Sequence, residues 1–93
     1  MRVGVVVIGR NEARVLARTL QSVAAFAPAV VYADSGSSDG SPEIAESMGV
    51  AVVRLPNQPP LSAANGRNAG RAYLGQHFPD VGYVQFVDGD TEL

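Results

Sequence analysis

At 93 residues the chain is one domain or less against the usual ~100–200 residues per domain, and its 46% apolar content supports a buried core rather than a disordered tail. A net charge of −2, with seven Arg, no Lys and no concentrated charge, argues against a nucleic-acid binder, which would present a basic patch. The absence of Cys removes disulfides, thiolate catalysis and thiolate metal sites.

The first apolar run, Val3-Gly4-Val5-Val6-Val7-Ile8, is β-branched and continuous, the pattern of a strand covered on both faces. It is too short to span a membrane, and with Arg2 in front of it lacks the longer apolar region and cleavage site of a signal peptide. A soluble cytoplasmic protein is therefore expected, with membrane association left to sequence downstream of this stretch. The strand breaks at Gly9-Arg10-Asn11-Glu12, where Asn11 is the expected N-cap and Glu12 suits the first turn of a helix. Leu16, Leu20, Val23 and Ala27 then recur on one helical face, and Pro28 stops the helix.

Ala29–Ala33 predicts a second strand ending on Asp34, followed by the small polar loop Ser35-Gly36-Ser37-Ser38-Asp39-Gly40-Ser41. Ser41-Pro42-Glu43 opens a short helix with Ile44, Ala45 and Met48 on its apolar face and Gly49 as its C-terminal cap. Val50–Val53 is a third strand, and a Pro-rich connection runs from Leu55 to Pro60. Residues Ser62 to Phe78 are Ala-rich and allow a helix, although Gly66 and Gly70 each cost about 1 kcal/mol there relative to Ala. Those glycines either admit a close neighbour or mark a loop. His77, at that segment's end, suits a surface or capping role better than a catalytic base. Tyr83–Val87 is the fourth strand.

The order βαβαβαβ calls for a parallel sheet with right-handed crossovers. Ligands of such sheets bind beyond the carboxyl ends of the strands. Three polar clusters fall there: Gly9–Glu12, Asp34–Gly40 and Asp88-Gly89-Asp90. In extended chain, residues two apart project to one side, so Asp88 and Asp90 can aim at one point. Their mutual repulsion is relieved by a hard divalent cation. An acidic turn closing a strand would use the same residues.

On these residues the chain resembles the nucleotide-binding half of a family 2 glycosyltransferase of GT-A fold. The resemblance rests on Val6-Val7-Ile8-Gly9-Arg10-Asn11-Glu12-Ala13, Asp34-Ser35-Gly36-Ser37-Ser38-Asp39-Gly40-Ser41, Arg67-Asn68-Ala69-Gly70 and Phe86-Val87-Asp88-Gly89-Asp90. It implies a Rossmann-like α/β fold with strand order 3-2-1-4 and flanking helices. It also implies transfer of a sugar from a nucleoside-diphosphate sugar to an unknown acceptor. Residues 1–93 would be the donor-binding portion of a single truncated GT-A domain, inactive alone, because the family's catalytic base and acceptor elements lie downstream of Asp90.

Carried over residue by residue, Ile8, Gly9 and Arg10 would lie along the nucleobase, and Glu12 would shape that site. Asp34 would accept a hydrogen bond from the base, and Arg67 would approach the base or the diphosphate. Asp88 would contact ribose or the metal's water shell, and Asp90 would coordinate Mg²⁺ or Mn²⁺ on the diphosphate. The resemblance gives Ser37 and Asp39 mostly structural roles. Arg10 departs from the family, standing where an aromatic residue is common, and Ser35 departs from the Asp-Asp-Gly-Ser form.

Two other enzyme readings compete. A haloacid-dehalogenase-like phosphatase would use Asp88 as nucleophile and Asp90 as acid, but that motif ordinarily opens its domain. A dinucleotide-binding domain would place Asp34 on ribose, yet the first turn lacks Gly-x-Gly-x-x-Gly. A non-catalytic nucleotide-binding fragment is the third alternative. In a 3-2-1-4 sheet the fourth strand is an edge unless further strands cover it, so either self-association through that edge or marginal stability is also expected.

Overall fold

Val5 and Val7 point to one face of the sheet and Val6 and Ile8 to the other, and all four are buried. That double burial explains why the first strand carries no polar residue between Val3 and Ile8. The computed structural model describes residues 2–25, 27, 29–55 and 63–89. Its elements are β1 (Arg2–Gly9), α1 (Ala13–Ala24), β2 (Ala29–Asp34), α2 (Ser41–Ser47), β3 (Ala51–Arg54), α3 (Ala63–His77) and β4 (Val81–Asp88). The four strands form one parallel sheet in the order β3-β2-β1-β4, as expected.

Right-handed crossovers dictate where the helices go. The chain winds one way from β1 through β2 to β3, then reverses to reach β4 on the far side of β1. The reversal puts α3 on the face opposite α1 and α2. Val5, Val7, Leu16, Leu20, Val23, Tyr32, Ala45 and Val87 form the core on the α1 side. Val6, Ile8, Ala29, Val31, Ala33 and Leu74 form the core on the α3 side.

The ambiguous segment is a helix, and its glycines are contact points. A Cβ on Gly66 would come 2.9 Å from Ile8 Cγ2, and one on Gly70 would come within 3.0 Å of Val6 Cγ2. Leu74, one further turn along, is buried beside β1. Residues four apart share a helix face, so Gly66, Gly70 and Leu74 make one row that descends along β1 as Ile8, Val6 and Gly4. The cost of glycine in a helix is offset by the close approach.

One expectation fails at α1. Asn11 is not its N-cap: the helix starts at Ala13, Glu12 holds the cap position, and no side chain of that residue bonds the first turn. Asn11 instead takes φ 55°, a left-handed conformation that Asn tolerates better than most residues. The helix's leading amides are satisfied from elsewhere in the chain. At its other end α1 stops at Ala24, although Ala27 remains buried and donates to Val23 O at 3.0 Å; Pro28, the expected stop, is outside the described residues. Among the described residues no helix is long and apolar enough to cross a membrane.

Candidate nucleotide site at the carboxyl edge

Strand register sets the spacing of the site. Asp34 pairs with Arg54 on one side and Gly9 on the other, while Ile8 pairs with Asp88. The ends of β2, β1 and β4 therefore stand side by side. Between β1 and β4 the winding direction changes, and crevices of α/β sheets that bind ligands open at such points.

The loop after β2 is closed on itself. Asp34 is only 2% exposed, and its carboxylate accepts from the Tyr32 hydroxyl at 2.7 Å, the Ser37 amide at 2.8 Å and the Ser37 hydroxyl at 2.5 Å. Burial, with the Asp34 carboxylate beside it, pushes the Tyr32 phenol well above its ordinary range. Asp39 accepts from the Ser41 hydroxyl at 2.6 Å, the Ser41 amide at 3.1 Å and the Ala13 amide at 3.0 Å. The Ser41 hydroxyl and then the Ala13 amide hold its carboxyl below the usual aspartate value.

Two serines join this loop to the one after β1. Ser37 Oγ donates to Asp34 and accepts from the Asn11 amide at 2.8 Å; Ser41 Oγ donates to Asp39 and accepts from the Glu12 amide at 3.1 Å. A hydroxyl has one proton and two lone pairs, which suits both relays. Asn11 Oδ1 completes the seam by accepting the Ser38 amide at 2.8 Å. Asn11, Glu12 and Ala13 thus have their amides capped by residues 26 to 29 positions away. Asp39 and Ser37 hold their expected structural places, and Asp39 reaches further, to the first amide of α1.

The turn after β4 is held differently. The Gly89 amide donates to Ile8 O at 2.8 Å, and the Thr19 hydroxyl of α1 donates to Gly89 O at 2.8 Å. A Cβ on Gly89 would come 3.3 Å from both Ile8 O and Glu12 Cγ, a tight fit that favours a small middle residue in the motif. The peptide is pinned and the Asp88 side chain is exposed. Asp90 lies outside the described residues, and among those described no group of three or more His, Cys, Asp or Glu side chains is placed to hold a metal. Asp88 nonetheless offers the hard oxygen that a divalent ion takes when diphosphate and water complete its shell.

The remaining candidates fall around this turn. Ile8 is 7% exposed, its side chain lies under Gly66, and its carbonyl is engaged by Gly89, so it forms the floor of the site. Gly9 O is likewise engaged by the Ser35 amide. Arg10 is exposed just beyond, and Glu12 is half-buried with its stem against Gly9 and Gly89. Arg67 is exposed next to Gly66, at the end of α3 that overlies Ile8. Arg54 is at the same edge but turned to α2, bonded to Glu46 at 2.8 and 3.1 Å. His77 is exposed and stacked on Tyr73 at the other end of α3.

The hydrogen-bonding roles of Tyr32, Ser41 and Thr19 were not read from the sequence. Tyr32 was legible in principle, two residues before Asp34 and therefore on the same side of the strand. Thr19 stands among Leu16, Leu20 and Val23 on the buried helical face, which signals a polar partner without identifying it. Cavities of about 230 Å³ (Leu74, Phe78, Val81, Val84) and 420 Å³ (Ala27, Val30, Met48, Phe78) lie at the amino edge, away from the carboxylates.

The fold and this edge define a parallel α/β architecture with a carboxylate turn at its switch point. Residues 4–93 match the family model Glycosyl transferase family 2, and the chain belongs to that family. Among solved structures it is similar to glucosyl-3-phosphoglycerate synthase from Mycobacterium tuberculosis in complex with uridine diphosphate, at 23% identity and a TM-score of 0.70. The match covers 97% of this chain and 34% of that one, so this chain spans about a third of the synthase it resembles. Family membership sets aside the haloacid-dehalogenase and dinucleotide-domain readings.

Proposed function

We propose that residues 1–93 form the donor-binding portion of a GT-A glycosyltransferase, taking a nucleoside-diphosphate sugar for transfer to an acceptor that these residues do not specify. One observation carries this reading: at an edge where Asp34 and Asp39 are committed to internal hydrogen bonds, Asp88 stands exposed on a turn whose backbone is pinned. The match to a uridine-diphosphate complex supports a nucleoside diphosphate as the ligand.

In this reading Asp88 and Asp90 hold Mg²⁺ or Mn²⁺, with Asp88 also within reach of ribose. The ion, when bound, neutralises charge on the departing diphosphate. Gly9 and Arg10 border the base, with Arg10 offering a guanidinium plane where an aromatic ring is usual in the family. Asp34, buried and shared with Tyr32 and Ser37, anchors the wall of the base site. Arg67 approaches the diphosphate from the α3 face with paired donors. Glu12 lines the space between the first and fourth loops. We assign no general base among the described residues, and place the protein in the cytoplasm.

Calorimetry with UDP and GDP, with and without Mn²⁺, tests this assignment. Binding is expected to require the metal and to weaken at least about tenfold, or ~1.4 kcal/mol, in Asp88→Asn and Asp90→Asn. Metal-independent binding, or affinity untouched by both substitutions, overturns it. The outer edge of β4 pairs with no other described strand and exposes Tyr83 (66%) and Phe86 (38%). We propose self-association along that edge, which has neither Pro nor Lys to discourage it. A concentration-independent monomer in sedimentation would refute that part.

A further inference from the structure

The polar tie between Thr19 and Gly89 joins residues 70 positions apart and is buried. A mid-helix threonine ordinarily turns its hydroxyl back to the carbonyl four residues earlier. Here that distance, to Val15 O, is 3.4 Å, while Gly89 O is at 2.8 Å. The single hydroxyl proton therefore goes to the shorter partner, and α1 reaches across to the fourth loop. Thr19 is 2% exposed, so water does not replace the bond.

Gly89 is the peptide between the two carboxylates of Asp88-Gly89-Asp90. Its amide is held by Ile8 O and its carbonyl by Thr19, so the residue that follows Asp88 is tied to β1 on one side and to α1 on the other. A β-carbon there would crowd Ile8 O and Glu12 Cγ at 3.3 Å. All three restraints act on the backbone and leave the carboxylate of Asp88 unengaged by the clamp. Such an arrangement fixes the backbone that carries Asp88 before any ion arrives, and preorganised ligands bind more tightly.

We propose that Thr19 is a positioning residue for the cation and diphosphate site: its hydroxyl clamps Gly89 and so holds the backbone that presents the neighbouring Asp88 carboxylate to a divalent ion. This rests on the reading of that turn given above. Thr19→Val removes the hydroxyl at constant shape, and Thr19→Ser keeps it.

The measurements are the Mn²⁺ concentration giving half-maximal UDP binding and the amide exchange of Asp88 and Gly89 relative to Val6. Loss of one buried hydrogen bond predicts a rise of about fivefold to tenfold in the Mn²⁺ requirement of Thr19→Val, with Thr19→Ser within about twofold of the parent. Exchange should accelerate at residues 88 and 89 and not at Val6. A Thr19→Val chain with a lowered Tm but an unchanged Mn²⁺ requirement, or with exchange raised uniformly, overturns the proposal. Thr19→Cys, close in volume with a weak donor, replaces Thr19→Val if that variant does not fold. A parent chain that binds no UDP with Mn²⁺ overturns the functional reading instead, and exchange at Gly89 then decides the clamp by itself.

Discussion

Two acidic loops share one edge of the sheet and are built on opposite plans. After β2, carboxylates hold backbone: Asp34 and Asp39 accept six hydrogen bonds between them, from Tyr32, Ser37, Ser41 and Ala13. After β4, backbone is held by β1 and α1, and the carboxylate of Asp88 stands exposed. The same residue type is scaffold in one loop and solvent-facing in the other. Burial and hydrogen-bond partners, rather than the presence of a carboxylate, separate the two.

The sharpest way to break this contrast is to delete one carboxylate from each loop. Asp34→Ala strands the Tyr32 hydroxyl and the Ser37 amide, each costing ~1–3 kcal/mol if left unmet, so a loss of about 3 kcal/mol is expected. Urea unfolding should show it as a lower midpoint at constant slope. Gly89→Ala crowds Ile8 O and Glu12, and should cost about 1–2 kcal/mol as overpacking while weakening UDP binding in calorimetry. Tyr32→Phe keeps the buried ring and removes only the donor to Asp34. A loss of about 1 kcal/mol in the same unfolding assay is expected, and no change at all would mean that Ser37 alone satisfies the carboxylate.

Asp39 gives a pH signature. Its folded carboxyl titrates below the ordinary aspartate value of about 3.9, so its contribution is complete above that value and is lost as pH falls through the lower, folded one. Thermal melts of the parent should therefore decline more steeply on acidification below about pH 4 than those of Asp39→Asn. Parallel acid limbs would show that the cap does not depend on charge. The smallest stability effect belongs to Asp88→Asn, within about 0.5 kcal/mol as for an ordinary surface change, with its consequence confined to metal-dependent binding. If Asp88→Asn instead destabilises as much as Asp34→Ala, the two loops are not built differently.

Much of the frame was legible in advance because it depends on local pattern. Val3–Ile8 reads as a doubly covered strand from its unbroken apolar content, and the alternation of elements requires a parallel sheet. Gly66 and Gly70 were legible only as a choice between a loop and a close approach. The missing information was the position of Val6 and Ile8 beneath them. Asn11 was misread because N-cap preference describes a helix supplied by its own flanking residue. Here Ser37, Asp39 and Ser41 arrive from the next loop and supply the cap instead.

By itself the amino-acid sequence determined the element order, the fold class and the presence of three polar loops at one edge, since strand and helix periodicities and turn chemistry are properties of neighbouring residues. Only the tertiary structure decided which carboxylates are engaged and which is exposed. It brought Thr19 to Gly89 and the second loop to the start of α1. Hydrogen bonds between residues 26 to 70 positions apart depend on strand register and helix placement, and neither is written in the spacing of the residues that make them.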